Sequence, residues 1–280
     1  MAEETVRLTD IDDGNVGFFW PFVPEGMRRL YGKPSCLFIG AVDGKSFASG
    51  VLIAFYVRHW EILWIYVAEG CRRRGMAAAM LNGLAEHYLD RERGAILAYF
   101  TEDMDRGALI PLFRKAGYRA GEVEGGGYFE TEIGKVGGCG SGPRKLGHAV
   151  PIRRLTKDQM RKLGGKLMSW RACRQIPLPL EEDECEACSH AAVSGGEITG
   201  ACLVTRDNGR MRISLLHAEG GRPEVLMETL MATVRKMKED CPERMRVGAL
   251  ALNGSAASLC RRLAGDVEQS KAYKAAFGHE

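Results

Sequence analysis

Arg72, Arg73 and Arg74 stand together directly before Gly75, and Met76, Ala77 and Ala78 follow at once. A guanidinium group grips phosphate oxygens through a planar fork of N–H donors. A glycine beside such a cluster lets main-chain N–H groups approach an anion closely, and the positive end of a helix dipole adds to the attraction. Type and spacing together therefore describe a cradle for phosphate. The plainer reading of the same residues is a basic turn that holds no ligand.

Such a cradle needs a strand to deliver it and a helix to receive it, and the flanking sequence predicts both. Glu61 to Val67 reads as an apolar strand. From Arg74 to Asp90 the apolar residues Ala77, Leu81, Leu84 and Tyr88 follow a helical period. Before this pair, Thr5 to Leu8 reads as a short strand, Asp10 to Tyr31 as helical or irregular, and Cys36 to Val42 with Phe47 to Val57 as a hairpin around Asp43 and Gly44. After it come a strand from Ala95 to Thr101, a helix from Gly107 to Ala116 closed by Gly117, and a strand from Tyr128 to Ile133.

The remaining half echoes this order. Val6 to Thr9 is matched by Ile152 to Thr156, Ala41 to Gly44 by Ala192 to Gly195, and Leu112 to Lys115 by Leu259 to Arg262, in the same sequence and at nearly constant offset. Collinear matches of this kind predict an internal duplication. The second set comprises strands over His190 to Val193, Ile198 to Thr205 and Met211 to His217. A helix over Pro223 to Met237, a strand over Met245 to Leu252, a helix over Ser255 to Leu263 and a strand over Lys271 to Phe277 complete it. Between the halves, Val136 to His148 is glycine-rich and basic and reads as a linker. The expected organisation is residues 1–136, a linker over 137–148, and residues 149–280. The expected fold class is α+β, two tandem domains that are each a mostly antiparallel mixed sheet flanked by helices.

Composition narrows the function. The chain has 280 residues, 45% of them hydrophobic, which suffices for two cores. A net charge of +3 lacks the strong basic excess of a general nucleic-acid binder. No apolar run is long enough to span a bilayer, and the acidic start lacks the pattern of a signal peptide. Nine scattered cysteines suit reduced thiols, so the expected location is the cytoplasm. No nucleic-acid or membrane partner is expected, and a homodimer is left open.

Arg72-x-x-Gly75-x-Ala77 resembles the Q/R-x-x-G-x-G/A signature of the GNAT acyltransferases, and the predicted order of elements over residues 1 to about 135 is similar to their fold. The resemblance implies a cradle for the pyrophosphate of acetyl-CoA, formed by Arg72, Arg73, Arg74, Gly75, Met76, Ala77 and Ala78. It places Ile65, Tyr66 and Val67 along the acyl-pantetheine arm. It implies transfer of an acetyl or short acyl group to a small-molecule or peptide amine, by direct attack in a ternary complex and with no metal. Acetyl-CoA is then a co-substrate. The second half has only Ala218 to Pro223 where the first has its arginine–glycine turn, so it resembles the family in element order alone.

An amine with a pKa of ~10.4 must lose a proton before it can attack. Glu61, at the start of the strand, resembles the family's strand glutamate and is the expected base; a solvated strand end paired with Arg58 is the competing reading. Where the family often has a tyrosine that protonates the departing sulfur, Leu112-Phe-Arg-Lys-Ala-Gly-Tyr118 has Phe113, which can pack against the cofactor arm but has no proton to give. Tyr66, Tyr118 and Tyr128 are substitutes of equal standing, and Arg106 replaces a common asparagine. With no clear acid, an acyl-CoA-binding sensor without turnover is the alternative function. Cys71 beside the turn reads as a bystander, and Cys173, Cys185, Cys188 and His190 as reduced thiols and a histidine in place of a zinc site. Phe18 to Phe22, with Met27 and Tyr31, lies where the resemblance implies one wall of the acceptor site; packing onto the sheet or against the second domain is the competing reading and the better one for most of the five.

Overall fold

The computed structural model describes residues 6–44, 46–56, 59–89, 94–102, 107–137, 148–170, 187–207, 209–264 and 267–278. In chain order the first elements are β1 (Arg7–Asp10), α1 (Val16–Phe19), α2 (Glu25–Arg28), β2 (Cys36–Val42), β3 (Ala48–Tyr56) and β4 (Trp60–Val67). Next come α3 (Met76–Tyr88), β5 (Ala95–Thr101), α4 (Leu109–Lys115), β6 (Arg119–Glu122) and β7 (Gly127–Glu132). The chain continues through β8 (Ala149–Pro151), α5 (Lys157–Trp170), β9 (His190–Ser194), β10 (Glu197–Asp207) and β11 (Arg210–Ala218). It ends with α6 (Pro223–Asp240), β12 (Arg246–Ala251), α7 (Gly254–Ala264), β13 (Glu268–Ser270) and β14 (Ala272–Gly278).

Two compact units result, Met1–Gly121 with Tyr273–Glu280, and Glu122–Ala272. Each is a seven-stranded sheet flanked by helices, the first in the order β1-β2-β3-β4-β5-β14-β6 and the second β13-β7-β12-β11-β10-β9-β8. The α+β class and the tandem arrangement hold. The units do not part at 137–148, however. β7, expected to finish the first sheet, pairs antiparallel with both β12 and β13 in the second. β14, expected to finish the second, lies between β5 and β6 in the first. The halves have traded strands. The reason is packing: β7 alternates buried Phe129 and Thr131 with half-buried Tyr128 and Glu130, and Arg246 of β12 reaches Glu130 at 2.9 Å. Ala275 of β14 is fully buried in the first unit's core.

In the first unit α3 buries Met76, Met80, Leu81, Leu84 and Ala85, one stripe of a 3.6-residue period, against β2 to β5. Phe113 of α4 and Phe100 of β5 close the same core. On the opposite face a second core gathers Phe19, Val23 and Leu30 onto Val51 and Ile53. The stretch expected as helical or irregular is two single-turn helices joined by a 3-10 turn at Trp20–Phe22. β6, β8, α5 and β13 were not foreseen. All but α5 are strands of three or four residues, too short to carry a periodic signal.

Candidate active site

β4 positions the site, and its register explains how. Across β3 the pairs run Phe55–Glu61, Ala54–Ile62, then Ile53–Trp64, so Leu63 is an extra residue, a β-bulge. Phe55, Ile53 and Val51 alternate onto one face of β3, so their partners Glu61, Trp64 and Tyr66 share that face of β4. On β4's other side the parallel ladder with β5 holds Trp60–Ile96, Glu61–Leu97 and Ile62–Ala98 and stops there among the described residues. Both strands continue beyond it. From the bulge onward, Leu63 to Val67 therefore present a main-chain edge toward an opening rather than toward a neighbouring strand.

Glu61 sits two residues before that opening. It is 5% exposed, and its register partners Phe55 and Leu97 are also buried. The solvated strand end is excluded: a carboxylate has been placed in the sheet, where charge is costly unless it is used or compensated. Arg58, its suggested partner, lies outside the described residues.

The strand leads into a 3-10 turn at Glu69–Cys71 and then into the basic residues. Arg73 has φ 61° and Gly75 φ 85°, both left-handed. Only glycine reaches that region without strain, and at Gly75 the twist turns the chain into α3. No side chain caps the helix, so the first-turn amides that follow Gly75 point outward with no side-chain acceptor. Arg72, Arg73, Arg74 and Gly75 are all exposed. Arg72 donates from Nε to the Val67 carbonyl at 3.1 Å, lies 3.8 Å from Glu69 and covers the Tyr66 ring at 5.8 Å. Free amides, guanidinium groups and a helix start converge on one patch of surface. That donor set fits a diphosphate.

Residues 7–118 match the model of the acetyltransferase (GNAT) family. The first unit is a GNAT domain. The whole chain is also similar in fold to solved GNAT structures. One is a GCN5-related N-acetyltransferase from Kribbella flavida, with a TM-score of 0.57 at 15% identity over 97% of this chain and 71% of that one. Another is a tandem GNAT protein from the clavulanic acid biosynthesis pathway, with a TM-score of 0.55 at 14% identity over 99% of this chain and 100% of that one. A third, a GCN5-related N-acetyltransferase from Sphaerobacter thermophilus, gives 0.53 at 14% identity over 100% and 98%. No curated protein matches the chain in sequence.

The GNAT unit brings Glu61, Ile65, Tyr66, Val67 and the residues from Arg72 to Ala78 onto one strand–turn–helix. Phe113 behaves differently. It is 2% exposed, stacks on Phe100 at 5.7 Å and meets Tyr118 edge-on at 5.3 Å, so it supports the core and is not displayed at the opening. Tyr118 is also buried; its hydroxyl donates to the Leu81 carbonyl at 3.4 Å and burial pushes its pKa upward. Tyr128 stands on β7, in the second unit. Tyr66 is the substitute that stays at the site, with Phe22 stacked on it at 5.7 Å and Trp64 lying parallel at 6.4 Å. Trp64 in turn donates from Nε1 to the Phe22 carbonyl at 2.9 Å. Of the early aromatic residues Phe22 thus reaches the site, Phe19 is core, Trp20 packs edge-on against Tyr31, and Phe18 is exposed.

Sequence reasoning missed Tyr273. Strand exchange sets it in the GNAT unit, 5.5 Å from Phe100, and only the pairing of β14 reveals this. It also missed the bulge, for which Leu63 gives no signal. Arg106, Cys173 and Cys185 lie outside the described residues. Cys71 is a half-buried free thiol against the first core. Cys188 is fully buried, and its carbonyl holds His190 Nδ1 at 2.9 Å. Among the described residues no group of three or more His, Cys, Asp or Glu is placed to hold a metal, and no helix is long and apolar enough to cross a membrane.

Proposed function

We propose that the GNAT unit moves an acetyl or short acyl group from acyl-CoA to a primary amine. The observation that carries this reading is the convergence at β4: a buried carboxylate, a main-chain edge released by a bulge, and a basic turn opening a helix, in that order along one strand. Acyl-CoA, when bound, supplies an activated carbonyl and a thiol leaving group. Arg72, Arg73 and Arg74, with the amides of Gly75 to Ala78, hold the diphosphate. The edge from Ile65 to Val67 orients the arm and offers N–H groups to the carbonyl oxygen. Glu61 takes the proton of the attacking amine, directly or through a water, and Phe22, Trp64 and Tyr66 wall the acceptor side. An ordinary thiol pKa of ~8.5 lets the sulfur leave near neutral pH with little help.

A second reading is favoured by Phe113, which has no proton to give: an acyl-CoA-binding sensor without turnover. Thiol release separates the two. The intact chain is incubated with acetyl-CoA and a panel of amines, in parallel with melting scans. Turnover with at least one amine, together with a cofactor-dependent rise in melting temperature, supports the enzyme. Stabilisation of ~2.7 kcal/mol at 100 times the dissociation constant with no turnover leaves the sensor. No stabilisation removes both.

A further inference from the structure

The far end of β4 forms a second feature that acyl transfer does not use. Tyr56, His59, Trp60, Tyr88, Leu89 and Ala95 line a cavity of about 230 Å³ in the GNAT unit. Trp60 is its centre, 5.1 Å from the Tyr56 ring and 6.0 Å from the Tyr88 ring, at tilted and near-perpendicular angles. The polar tips of the two inner rings are already engaged. Trp60 Nε1 donates to the Tyr88 carbonyl at 2.9 Å, and the Tyr88 hydroxyl donates to Asp10 Oδ1 at 2.7 Å. These bonds hold both rings in place along the cavity wall. Donation to a carboxylate also enriches the phenol ring in electrons, which strengthens its attraction for a cation. Tyr56 stands at the mouth, 46% exposed although large and aromatic.

We propose that this cavity is an aromatic cage for an alkylated ammonium group. A wall that carries three aromatic rings, with Trp60 inclined to both tyrosines, suits a rounded cation better than a flat molecule. The volume falls below the roughly 300–1,000 Å³ of pockets for drug-sized ligands, which suits a head group. β4 separates the cage from the phosphate turn by on the order of 20 Å at ~3.3 Å per residue, so the two sites fill independently. Trp60 shares a face of the sheet with Tyr56, opposite the face that carries Glu61. The cage itself does not depend on acyl transfer.

The test is an NMR titration of the intact protein with choline chloride, followed at the Trp60 indole N–H. Its uncharged isostere 3,3-dimethylbutan-1-ol is run beside it. Choline is expected to saturate the signal, with the isostere about tenfold weaker or worse. Tyr56→Leu keeps apolar bulk at an exposed position and removes the ring face; it should weaken choline by about tenfold and leave the isostere unchanged. Equal affinity for the two probes, no saturable shift at Trp60, or a Tyr56→Leu variant that binds choline like the parent would each overturn the cage.

Discussion

The two units repeat one construction and differ at the place where a ligand would bind. In the GNAT unit the ladder between β4 and β5 ends after three pairs, and a bulge at Leu63 precedes the turn. In the second unit β11 and β12 also pair over three residues, and β11 carries the same kind of extra residue at Ser214. Gly50 and Gly200 sit at matching positions, and a side chain on either would collide with a carbonyl across the ladder, Tyr66 at 2.9 Å or His217 at 2.8 Å. Yet the residue paired as Glu61 is paired is Arg212, whose guanidinium covers the Tyr128 ring at 5.9 Å. The turn after β11 holds Glu219, bound to Lys166 at 2.6 Å, and enters α6 through Pro223, which has no amide to offer. The short parallel ladder and the bulge recur in both units, while the run of three arginines before a left-handed glycine stands in the first.

The comparison can be attacked at four points, the most drastic first. Ending the chain after Lys271 removes β14 from the middle of the first sheet. We expect the first unit, not the second, to lose its cooperative melting transition, and acyl-CoA binding to vanish with it. A truncated protein that still binds would show that the strand exchange is dispensable. Next, Gly75→Glu places a carboxylate in the cradle and forces a side chain into the left-handed region, at ~1–2 kcal/mol of backbone strain. Calorimetry should find no acyl-CoA binding to a folded protein, while Gly221→Glu in the second unit leaves affinity as it was; matched losses would erase the distinction between the turns. Third, Glu61→Gln should slow acylation by about 10²- to 10⁴-fold near neutral pH and keep acyl-CoA affinity, whereas Arg212→Gln should change neither rate nor affinity. A Glu61→Gln enzyme as fast as the parent at every pH takes the carboxylate out of the chemistry.

The smallest effect concerns the second unit alone. His190 is 6% exposed, and burial holds its pKa below the ordinary value, with Arg235, Lys236 and Arg153 acting in the same direction. The folded form is therefore neutral where the unfolded form has begun to take a proton. Stability is unaffected well above pH ~6.5 and falls as pH drops through it, by at most ~1.4 kcal/mol per pH unit for one proton. His190→Gln should flatten that slope in urea melts of the second unit between neutral and mildly acidic pH. An unchanged slope would place the acid sensitivity elsewhere.

What could be read in advance followed from how local each signal is. The basic turn between β4 and α3 was legible because its parts are contiguous: a strand, three arginines, a glycine and a helix in one run. The hairpin of β2 and β3 and the helix α3 came from periodicity and a turn pair in the same way. Glu61 was legible as a position, but its burial depends on β3 and β5, which no spacing around residue 61 reports. Phe113 was read from a pattern of neighbours, and the core around Phe100 and Tyr118 decided its role instead. The owners of β7 and β14 were out of reach. A strand with alternating burial fits any sheet that offers it an edge of the right length, and the choice between two duplicated sheets lies in partners more than a hundred residues away, such as Glu130 and Arg246.

The traded strands also set a timetable. Everything from Glu122 to Ala272 leaves the ribosome before Tyr273 does, so the unit that begins first is the one completed last. Until β14 arrives, β5 and β6 flank a gap in the middle of their sheet, and the nascent GNAT unit must wait with apolar edges uncovered. A chain wired this way cannot be divided into two working halves by a cut between residues 137 and 148, because neither piece would carry its own keystone.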